Sequence, residues 1–418
     1  MTRDAQIKWL CQRAKAGAIS LAPAKTPIKN KTLSAMARSL IKNTGYIVGQ
    51  NKKDVARARR EGMPDALIDR LSLTPSRIKA MADSLLNIAR LKDPVGSVIE
   101  TVRRPNTLVI KKVRVPIGVI LMIYESRPNV TSDCIGLCFK SGNAVILRGG
   151  SDAINSNKAI FNVLRKEVVR HGISADTISM IMDTDRRLVE LLLRQTGLID
   201  LVIPRGGESL IREVANRSRI PVIKHYKGIC HTYVDDSADL KMAEDICFNA
   251  KVQRPGVCNA MECMLVNRRI AARFLPRMIR RLQDAGVEIR GTKEVASFGD
   301  GVVMAKESDW YREYLDLKLS VKVVASVDEA IKHIMKYGSS HSDAIVTRNK
   351  ARAKRFLREV DSACVYVNAS TRFTDGGQFG KGAEMGISTD KIHARGPMGL
   401  EELTSYKYVI YGNGQVRT

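Results

Sequence analysis

The chain has 418 residues, 44% of them apolar, which is enough for two or three domains with sizeable cores. Its eight scattered cysteines exclude a disulfide framework, and the spacing of cysteine and histidine predicts no metal site. The apolar runs are too short to span a bilayer, and the N-terminus has no signal-peptide core. We therefore expect a cytoplasmic protein that is not bound to a membrane.

Charge is the unusual feature of the composition. Lysine and arginine outnumber aspartate and glutamate 69 to 43, which gives a net charge of +26. The basic residues are spread along the chain and aromatic residues are sparse, so a surface that steers an acidic substrate is favoured and no specific nucleic acid is expected. A nucleic-acid-binding protein is the alternative from another class, and tight, salt-sensitive binding would support it.

The first hundred residues are predicted to be helical. Residues 32–48 and 80–91 carry apolar side chains at three- and four-residue spacing. Residues 101–115 end in an alternation of basic and apolar residues, which predicts an extended ribbon. Residues 404–410 are again strand-like, and we expect them to pair with this ribbon in the same or another chain.

From residue 116 onward, short apolar runs alternate with helical segments. This alternation predicts an α/β protein whose parallel sheets are covered by helices on both faces. The predicted strands are 117–123, 144–147, 178–182, 201–203 and 221–223 in a first series, then 261–266, 321–325, 344–347 and 364–367 in a second.

A bent segment joins a predicted helix to the first strand of the second series. It reads Lys251-Val252-Gln253-Arg254-Pro255-Gly256-Val257-Cys258-Asn259-Ala260. Proline and glycine turn the backbone, so Cys258 is presented at a bend, and Lys251 and Arg254 are expected to favour its thiolate. Cys258 is thus a candidate nucleophile, and a buried structural cysteine is the alternative. His225 and His231, the nearest histidines in the sequence, are interpreted as structural.

Two glycine-containing loops follow predicted strands, at the end of the sheet where α/β proteins bind ligands. They are Arg148-Gly149-Gly150-Ser151 and Pro204-Arg205-Gly206-Gly207. Backbone N–H groups and arginine suit a phosphate, whereas ordinary turns with solvated arginines are the alternative. Neither a P-loop nor a G-x-G-x-x-G motif occurs, so the pattern alone does not establish a dinucleotide.

Several stretches match one family in register from about residue 51 to residue 408. They are residues 115–119, Ile123-Tyr124-Glu125-Ser126-Arg127-Pro128-Asn129-Val130-Thr131, residues 140–151, residues 253–260 around Cys258, Phe373-Thr374-Asp375-Gly376-Gly377-Gln378-Phe379-Gly380 and residues 393–400. Together they resemble the γ-glutamyl phosphate reductase family of the aldehyde dehydrogenase superfamily.

This resemblance implies an aldehyde-dehydrogenase-like fold with two parallel-sheet α/β domains and a small β oligomerisation flap. It implies an NADPH-binding domain at residues 1–100 and 125–235, a catalytic domain at 236–367, the flap at 101–124 and 400–418, and a glycine-rich active-site segment at 368–399 that returns to the cofactor domain. A homo-oligomer is also implied.

The resemblance further implies NADPH-dependent reduction of L-glutamate 5-phosphate to L-glutamate 5-semialdehyde and phosphate, the second step of proline biosynthesis from glutamate. Cys258 would form a thioester, with its backbone N–H and Asn129 as donors to the oxyanion. The loop at 148–151 would lie near the adenosine ribose and the loop at 204–207 near the pyrophosphate. Arg127, Gln378 and Phe379 would bind substrate, and a structural salt bridge is the alternative for Arg127.

The residues that match a known catalytic stretch differ from those of hydrolytic relatives. Hydrolytic aldehyde dehydrogenases carry a water-activating glutamate in a Glu-Leu-Gly-Gly stretch, and here the corresponding residues are His225-Tyr226-Lys227-Gly228. The missing carboxylate favours an enzyme that releases its acyl group by reduction. The alternative is an NAD(P)-dependent aldehyde dehydrogenase that acts on another substrate. We also expect a transient complex with a separate glutamate kinase that supplies the acyl phosphate.

Overall fold

The computed structural model describes residues 2–125 and 127–417. Its helices are α1 (Arg3–Leu21), α2 (Thr26–Lys42), α3 (Thr44–Arg60), α4 (Asp65–Leu71), α5 (Pro75–Arg90), α6 (Asn129–Lys140), α7 (Ile154–Arg170), α8 (Arg187–Leu193), α9 (Glu208–Arg217), α10 (Leu240–Val252), α11 (Arg268–Asp284), α12 (Lys293–Ala296), α13 (Val327–Tyr337) and α14 (Lys350–Glu359). Among the described residues, none of these helices is long and apolar enough to cross a membrane.

The strands form two parallel sheets and two smaller antiparallel ones. They are β1 (Val98–Arg103), β2 (Val109–Pro116), β3 (Val119–Tyr124), β4 (Ala144–Gly149), β5 (Ile178–Met180), β6 (Leu201–Arg205), β7 (Cys230–Val234), β8 (Met261–Asn267), β9 (Glu288–Gly291), β10 (Val303–Met304), β11 (Lys318–Val324), β12 (Ser342–Val346), β13 (Cys364–Val367), β14 (Ile387–Ser388), β15 (Gly396–Pro397) and β16 (Thr404–Tyr411). The predicted α/β class is confirmed.

The first parallel sheet has the strand order β5-β4-β3-β6. Strands β3 and β4 are buried along their whole length, because helices pack on both faces of the sheet. The predicted strand at 221–223 is wrong: this segment forms an isolated bridge between Val202 and Val222. Pro221 has no N–H group to donate, which limits the ladder that this segment can build.

The second parallel sheet has the order β10-β9-β11-β8-β7-β12-β13, with apolar clusters on both faces. Strands β7 and β9 were not predicted. Strand β7 contains His231 and Thr232, which are buried although their polarity obscures the strand pattern. Because β7 pairs with β8 and β12, residues 230–234 belong to this sheet and not, as predicted, to the cofactor domain.

The third sheet joins the two ends of the predicted flap. Strand β16 pairs antiparallel with β2 of the same chain, which confirms the predicted pairing. Residues 119–124, however, were predicted within the flap and instead form β3 inside the four-stranded sheet. The reason is their composition, since six consecutive apolar side chains are stable only where both faces are covered.

The candidate site lies where the two parallel sheets meet. Cys258 precedes β8 at the amino end of the seven-stranded sheet, and Arg205 ends β6 at the carboxyl end of the four-stranded sheet. These two residues interact electrostatically. Arg70, from α4, also spans the junction, since its Nη2 donates to the Gly256 carbonyl oxygen at 3.2 Å.

Candidate active site

The segment that carries Cys258 is held from the glycine-rich region of the chain. The Asn259 side-chain amide donates to the Thr374 carbonyl oxygen at 2.7 Å, and the Thr371 hydroxyl donates to the Asn259 carbonyl oxygen at 2.8 Å. The Arg372 guanidinium donates to the Asn259 side-chain oxygen. These bonds fix the residue beside Cys258, so the thiol is positioned before any ligand binds.

Gly228 lies directly against the Cys258 backbone. A β-carbon added at Gly228 would lie 1.8 Å from the Cys258 carbonyl oxygen and 2.6 Å from its α-carbon. The Gly228 N–H donates to Glu313 Oε1 at 2.8 Å, which holds the glycine in this position. Only glycine fits here, so the stretch matched to the Glu-Leu-Gly-Gly motif packs beside the cysteine through backbone contact.

Charged groups surround the half-buried Cys258 thiol. Burial raises the pKa of this thiol to about 12; the Arg205 and Arg127 guanidinium groups oppose the rise, and the Glu384 and Glu313 carboxylates add to it. The two carboxylates were not anticipated, since the local stretch contains none. Each accepts a backbone N–H, from Gly376 and Gly228 respectively, at 2.8 Å. The thiol is therefore protonated near neutral pH, and its reactivity requires a group that accepts the proton.

We expect the alkylation of Cys258 by iodoacetamide to accelerate about tenfold per pH unit between about pH 7 and pH 9, because only the thiolate reacts and the thiol pKa lies above this range. The rate of modification, followed by peptide mass mapping without ligands, measures this dependence. The other cysteines are buried and provide the internal control. A rate that reached a plateau near neutral pH would contradict the raised pKa.

Two histidines lie beside the thiol: His225, from the stretch matched to the Glu-Leu-Gly-Gly motif, and His341, which the sequence analysis did not single out. One ring nitrogen each of His225 and His341 and the Cys258 sulfur all lie within 4.8 Å of one another. His225 Nδ1 bonds to the Ile387 carbonyl oxygen at 2.8 Å, and His341 Nδ1 bonds to the Ser342 hydroxyl at 2.9 Å. The interpretation of His225 as structural stays a prediction, since its ring is hydrogen-bonded to the backbone and also lies beside the thiol. Both residues are separated from Cys258 in the sequence, so only the fold reveals the group.

Both imidazoles are neutral at physiological pH. Burial, reinforced by the Arg205 guanidinium, lowers the pKa of His225 to about 4. Burial also lowers the pKa of His341 well below its ordinary value, and His341 Nε2 has no hydrogen-bond partner among the described residues. A neutral imidazole has a free lone pair, so either ring can accept a hydrogen bond from the Cys258 thiol; because the pKa of each ring is low, proton transfer to it must be coupled to attack on the substrate.

Several guanidinium groups converge near Cys258. Arg127 interacts electrostatically with Arg205, Arg70 and Arg254, and burial together with these like charges lowers the pKa of Arg127 to about 10. Arg205 was predicted only as part of a cofactor loop. Its guanidinium instead packs against Gly386, where an added β-carbon would lie 2.8 Å from Nη1. This cluster of positive charge suits an anionic group on the substrate.

Lys251 does not contribute as predicted. Its ammonium group is fully buried and donates to Glu262 Oε2 at 2.7 Å, so a neighbouring carboxylate neutralises its charge. Glu262 Oε1 also accepts the Leu315 N–H at 3.1 Å. The prediction that Lys251 favours the Cys258 thiolate is therefore wrong, and its ion pair stabilises the junction of α10 and β8. Arg254 remains exposed near Arg127.

The first predicted cofactor loop follows β4. Gly150 donates its N–H to the Tyr124 carbonyl oxygen at 2.7 Å, and a β-carbon on Gly149 would lie 2.3 Å from Asn157 Nδ2. Arg148 turns its guanidinium to the carbonyl oxygens of Gly149 and Thr184, at 3.0 and 2.9 Å. The next residue, Ser151, begins a short 3₁₀ turn. Arg148 thus holds the loop backbone in place through these two hydrogen bonds. Its buried Nε has no hydrogen-bond partner among the described residues.

The second predicted cofactor loop follows β6 and leads into α9. Pro204 and Arg205 lie level with Ile123 and Tyr124 of β3, so both loops flank the carboxyl end of that central strand. Gly207 donates its N–H to Glu125 Oε2 at 2.9 Å. A β-carbon on Gly206 would lie 2.3 Å from the same oxygen. The Gly207 N–H at the start of α9 thus binds a carboxylate oxygen, and a phosphate oxygen is expected to bind in the same way.

The remaining predicted residues are less closely tied to Cys258. Asn129 begins α6, and its side-chain amide donates to Asp133 Oδ2 at 3.3 Å. Gln378 and Phe379 lie on an exposed loop, where their backbone N–H groups bond to Asp375. Ser126, within one of the family-matching stretches, falls outside the described residues. The structure therefore leaves the roles of Asn129, Gln378 and Phe379 as predictions.

The comparisons with known proteins identify the family. The model of the aldehyde dehydrogenase family matches residues 7–314, so the chain is an oxidoreductase of the aldehyde dehydrogenase superfamily. The chain is 56% identical over 412 residues to γ-glutamyl phosphate reductase from Caldanaerobacter subterraneus, covering 99% of this chain and 100% of the relative. It is 53% identical over 417 residues to the same enzyme from Geobacter metallireducens, with 100% of both chains covered.

A solved structure extends this similarity. The crystal structure of γ-glutamyl phosphate reductase from Thermotoga maritima superposes with a TM-score of 0.96 at 48% identity, covering 99% of this chain and 100% of the other. The chain belongs to the γ-glutamyl phosphate reductase family. The resemblance inferred from the sequence and the aldehyde-dehydrogenase-like fold are both confirmed.

Proposed function

We propose that this protein reduces L-glutamate 5-phosphate to L-glutamate 5-semialdehyde and phosphate with NADPH, as the second step of proline biosynthesis from glutamate. The observation that carries the proposal is a half-buried thiol with neutral imidazoles and a guanidinium cluster around it. Such a site suits nucleophilic attack on a substrate that carries a phosphate. The names of the relatives, γ-glutamyl phosphate reductases, support the choice of substrate.

Cys258 is the nucleophile in this proposal. Its sulfur forms a bond to the acyl carbon, the bond from that carbon to the phosphate oxygen breaks, and a thioester remains. His225 or His341 accepts the thiol proton, and the departing phosphate takes it up, so charge does not accumulate on the imidazole. Arg127 and Arg205 stabilise the negative charge on the phosphate.

The carbonyl oxygen of the substrate becomes negatively charged during attack. The Cys258 N–H makes no hydrogen bond within the described part of the chain and is thus available as a donor. Asn129 is the proposed second donor, which requires its amide to turn away from Asp133. Gln378 and Phe379 are proposed to close over the substrate from the glycine-rich loop.

The two loops at the carboxyl end of the four-stranded sheet fit a dinucleotide. The Gly207 N–H, at the start of the ten-residue helix α9, donates to Glu125 Oε2 at 2.9 Å, and a phosphate oxygen would take the place of that carboxylate. The backbone at 204–207 would hold the pyrophosphate, and the loop at 148–151 the adenosine ribose. NADPH, when bound there, supplies the hydride that reduces the acyl carbon. Cys258 then leaves that carbon as a thiolate and releases the aldehyde.

An exposed apolar strand supports a proposal about the assembly of the protein. Tyr406, Tyr408 and Ile410 of β16 are 48–60% exposed, and large exposed apolar side chains mark contact surfaces. We propose that the three-stranded sheet joins copies of this chain into a homo-oligomer in the cytoplasm. A transient complex with a separate glutamate kinase is also proposed, and co-sedimentation together with coupled flux tests it; free diffusion of the acyl phosphate would contradict it.

We expect strict dependence on inorganic phosphate when the reaction runs in reverse, from glutamate 5-semialdehyde and NADP, because phosphate must cleave the thioester. NADPH formation at increasing phosphate concentration measures this dependence. Arg127→Met is expected to raise the KM for phosphate at least about tenfold, since a charged hydrogen bond is lost. Arg273→Met, which removes an equal charge from the exposed face of α11, is the control. Oxidation that proceeds equally well without phosphate would favour a hydrolytic aldehyde dehydrogenase.

A further inference from the structure

A second cysteine–histidine cluster lies in the core of the seven-stranded sheet, away from Cys258. It consists of His231 on β7, Cys263 on β8 and His333 on α13, with exposures of 0%, 1% and 4%. His231 and Cys263 are paired residues of neighbouring strands, so their side chains emerge together from one face of the sheet. Helix α13 covers that face and brings His333 to them.

The three side chains of this cluster lie close enough together to share a metal ion. One ring nitrogen of each histidine and the Cys263 sulfur all lie within 4.8 Å of one another, and Cys263 Sγ is 3.7 Å from His333 Nε2. A tetrahedral zinc ion with bonds of about 2.3 Å to sulfur and about 2.0–2.1 Å to nitrogen separates those two ligand atoms by about 3.6 Å. A zinc ion therefore fits between them with small side-chain movements.

A carboxylate orients one of the ligands. His231 Nδ1 lies 3.2 Å from Asp343 Oδ1, and the backbone N–H of His231 donates to the same oxygen at 2.8 Å. This leaves Nε2 directed into the cluster, where it is buried and where, within the described part of the chain, its hydrogen-bonding neighbour is Cys263. A histidine that binds metal through one nitrogen and a carboxylate through the other is the usual arrangement in metalloproteins.

We propose that His231, Cys263 and His333 bind one zinc ion in the core of this sheet. One thiolate and two imidazoles are ligands that zinc prefers, and the thiol releases its proton as the zinc–sulfur bond forms. The three side chains supply three of the four positions of a tetrahedral ion. The site would join β7, β8 and α13. It would also support the catalytic loop, because Cys230, next to His231, donates from its sulfur to the Cys258 carbonyl oxygen at 3.2 Å.

The test must separate this cluster from the one at Cys258, where His225 and His341 offer a second set of ligands. The starting protein is therefore the full-length Cys258→Ala variant, which removes the sulfur ligand of that second set. After incubation with zinc sulfate and gel filtration, we expect about one zinc per chain by elemental mass spectrometry. Cobalt in place of zinc is expected to give the absorption band of a thiolate–cobalt bond.

Further variants identify the ligands. Adding Cys263→Ala is expected to abolish zinc retention and the cobalt band, whereas adding Cys247→Ala, which removes another buried cysteine, leaves both unchanged. If the Cys263→Ala protein does not fold, two other measurements test the site. His333→Asn in the Cys258→Ala protein is expected to abolish zinc retention, and added zinc is expected to raise the Tm of the Cys258→Ala protein. No zinc retention and no rise in Tm in Cys258→Ala, or equal retention after loss of Cys263 or His333, would overturn the proposal.

Discussion

Cys258→Ala is expected to lower the rate of semialdehyde formation by about 10⁴-fold or more, because removing a covalent nucleophile eliminates the reaction path and leaves only binding effects. Steady-state assays of NADPH consumption measure this loss. Intact-protein mass spectrometry of acid-quenched enzyme, incubated with semialdehyde and NADP without phosphate, is expected to show an acyl adduct on the unsubstituted protein and none on Cys258→Ala.

The matched control is Cys11→Ala, which removes a cysteine from the buried face of α1. Its activity is expected to stay near that of the unsubstituted protein, so a loss specific to Cys258 cannot be attributed to cysteine removal in general. Activity of Cys258→Ala comparable to the control, or an adduct that maps to another residue, would refute the thioester mechanism.

Gly228→Ala is expected to lower kcat about 100-fold or more with a much smaller effect on the fold. The new methyl group would lie 1.8 Å from the Cys258 carbonyl oxygen, so the cysteine segment must move. A displacement of about 1 Å at reacting atoms costs about two orders of magnitude in rate. Steady-state kinetics gives kcat, and thermal unfolding distinguishes displacement of the thiol from general destabilisation.

Gly49→Ala serves as the control for this substitution. Gly49 lies inside α3, and a β-carbon built there meets nothing within 4 Å. Alanine also has the higher helix propensity, so this variant is expected to keep full activity and gain a little stability. An unchanged kcat for Gly228→Ala would show that the loop accommodates the methyl group without moving Cys258.

The sequence was sufficient to predict the main architecture. Continuous apolar runs between helical segments predicted parallel sheets, and the strands at 119–124 and 144–149 are buried as that pattern requires. The pairing of residues 404–410 with the ribbon was also correct. Strand β7 escaped prediction because His231 and Thr232 interrupt its apolar pattern, and only the neighbouring strands and helices make their burial favourable.

The sequence by itself determined the family, the fold class and the presentation of Cys258 at a Pro-Gly bend, because these depend on local patterns and on motifs of adjacent residues. Only the tertiary structure decided which groups act on the thiol. It brought Arg205, His225 and His341 to Cys258 and paired Lys251 with Glu262. Charge and proton affinity depend on distance and burial in space, and neither quantity follows from the separation of residues along the chain.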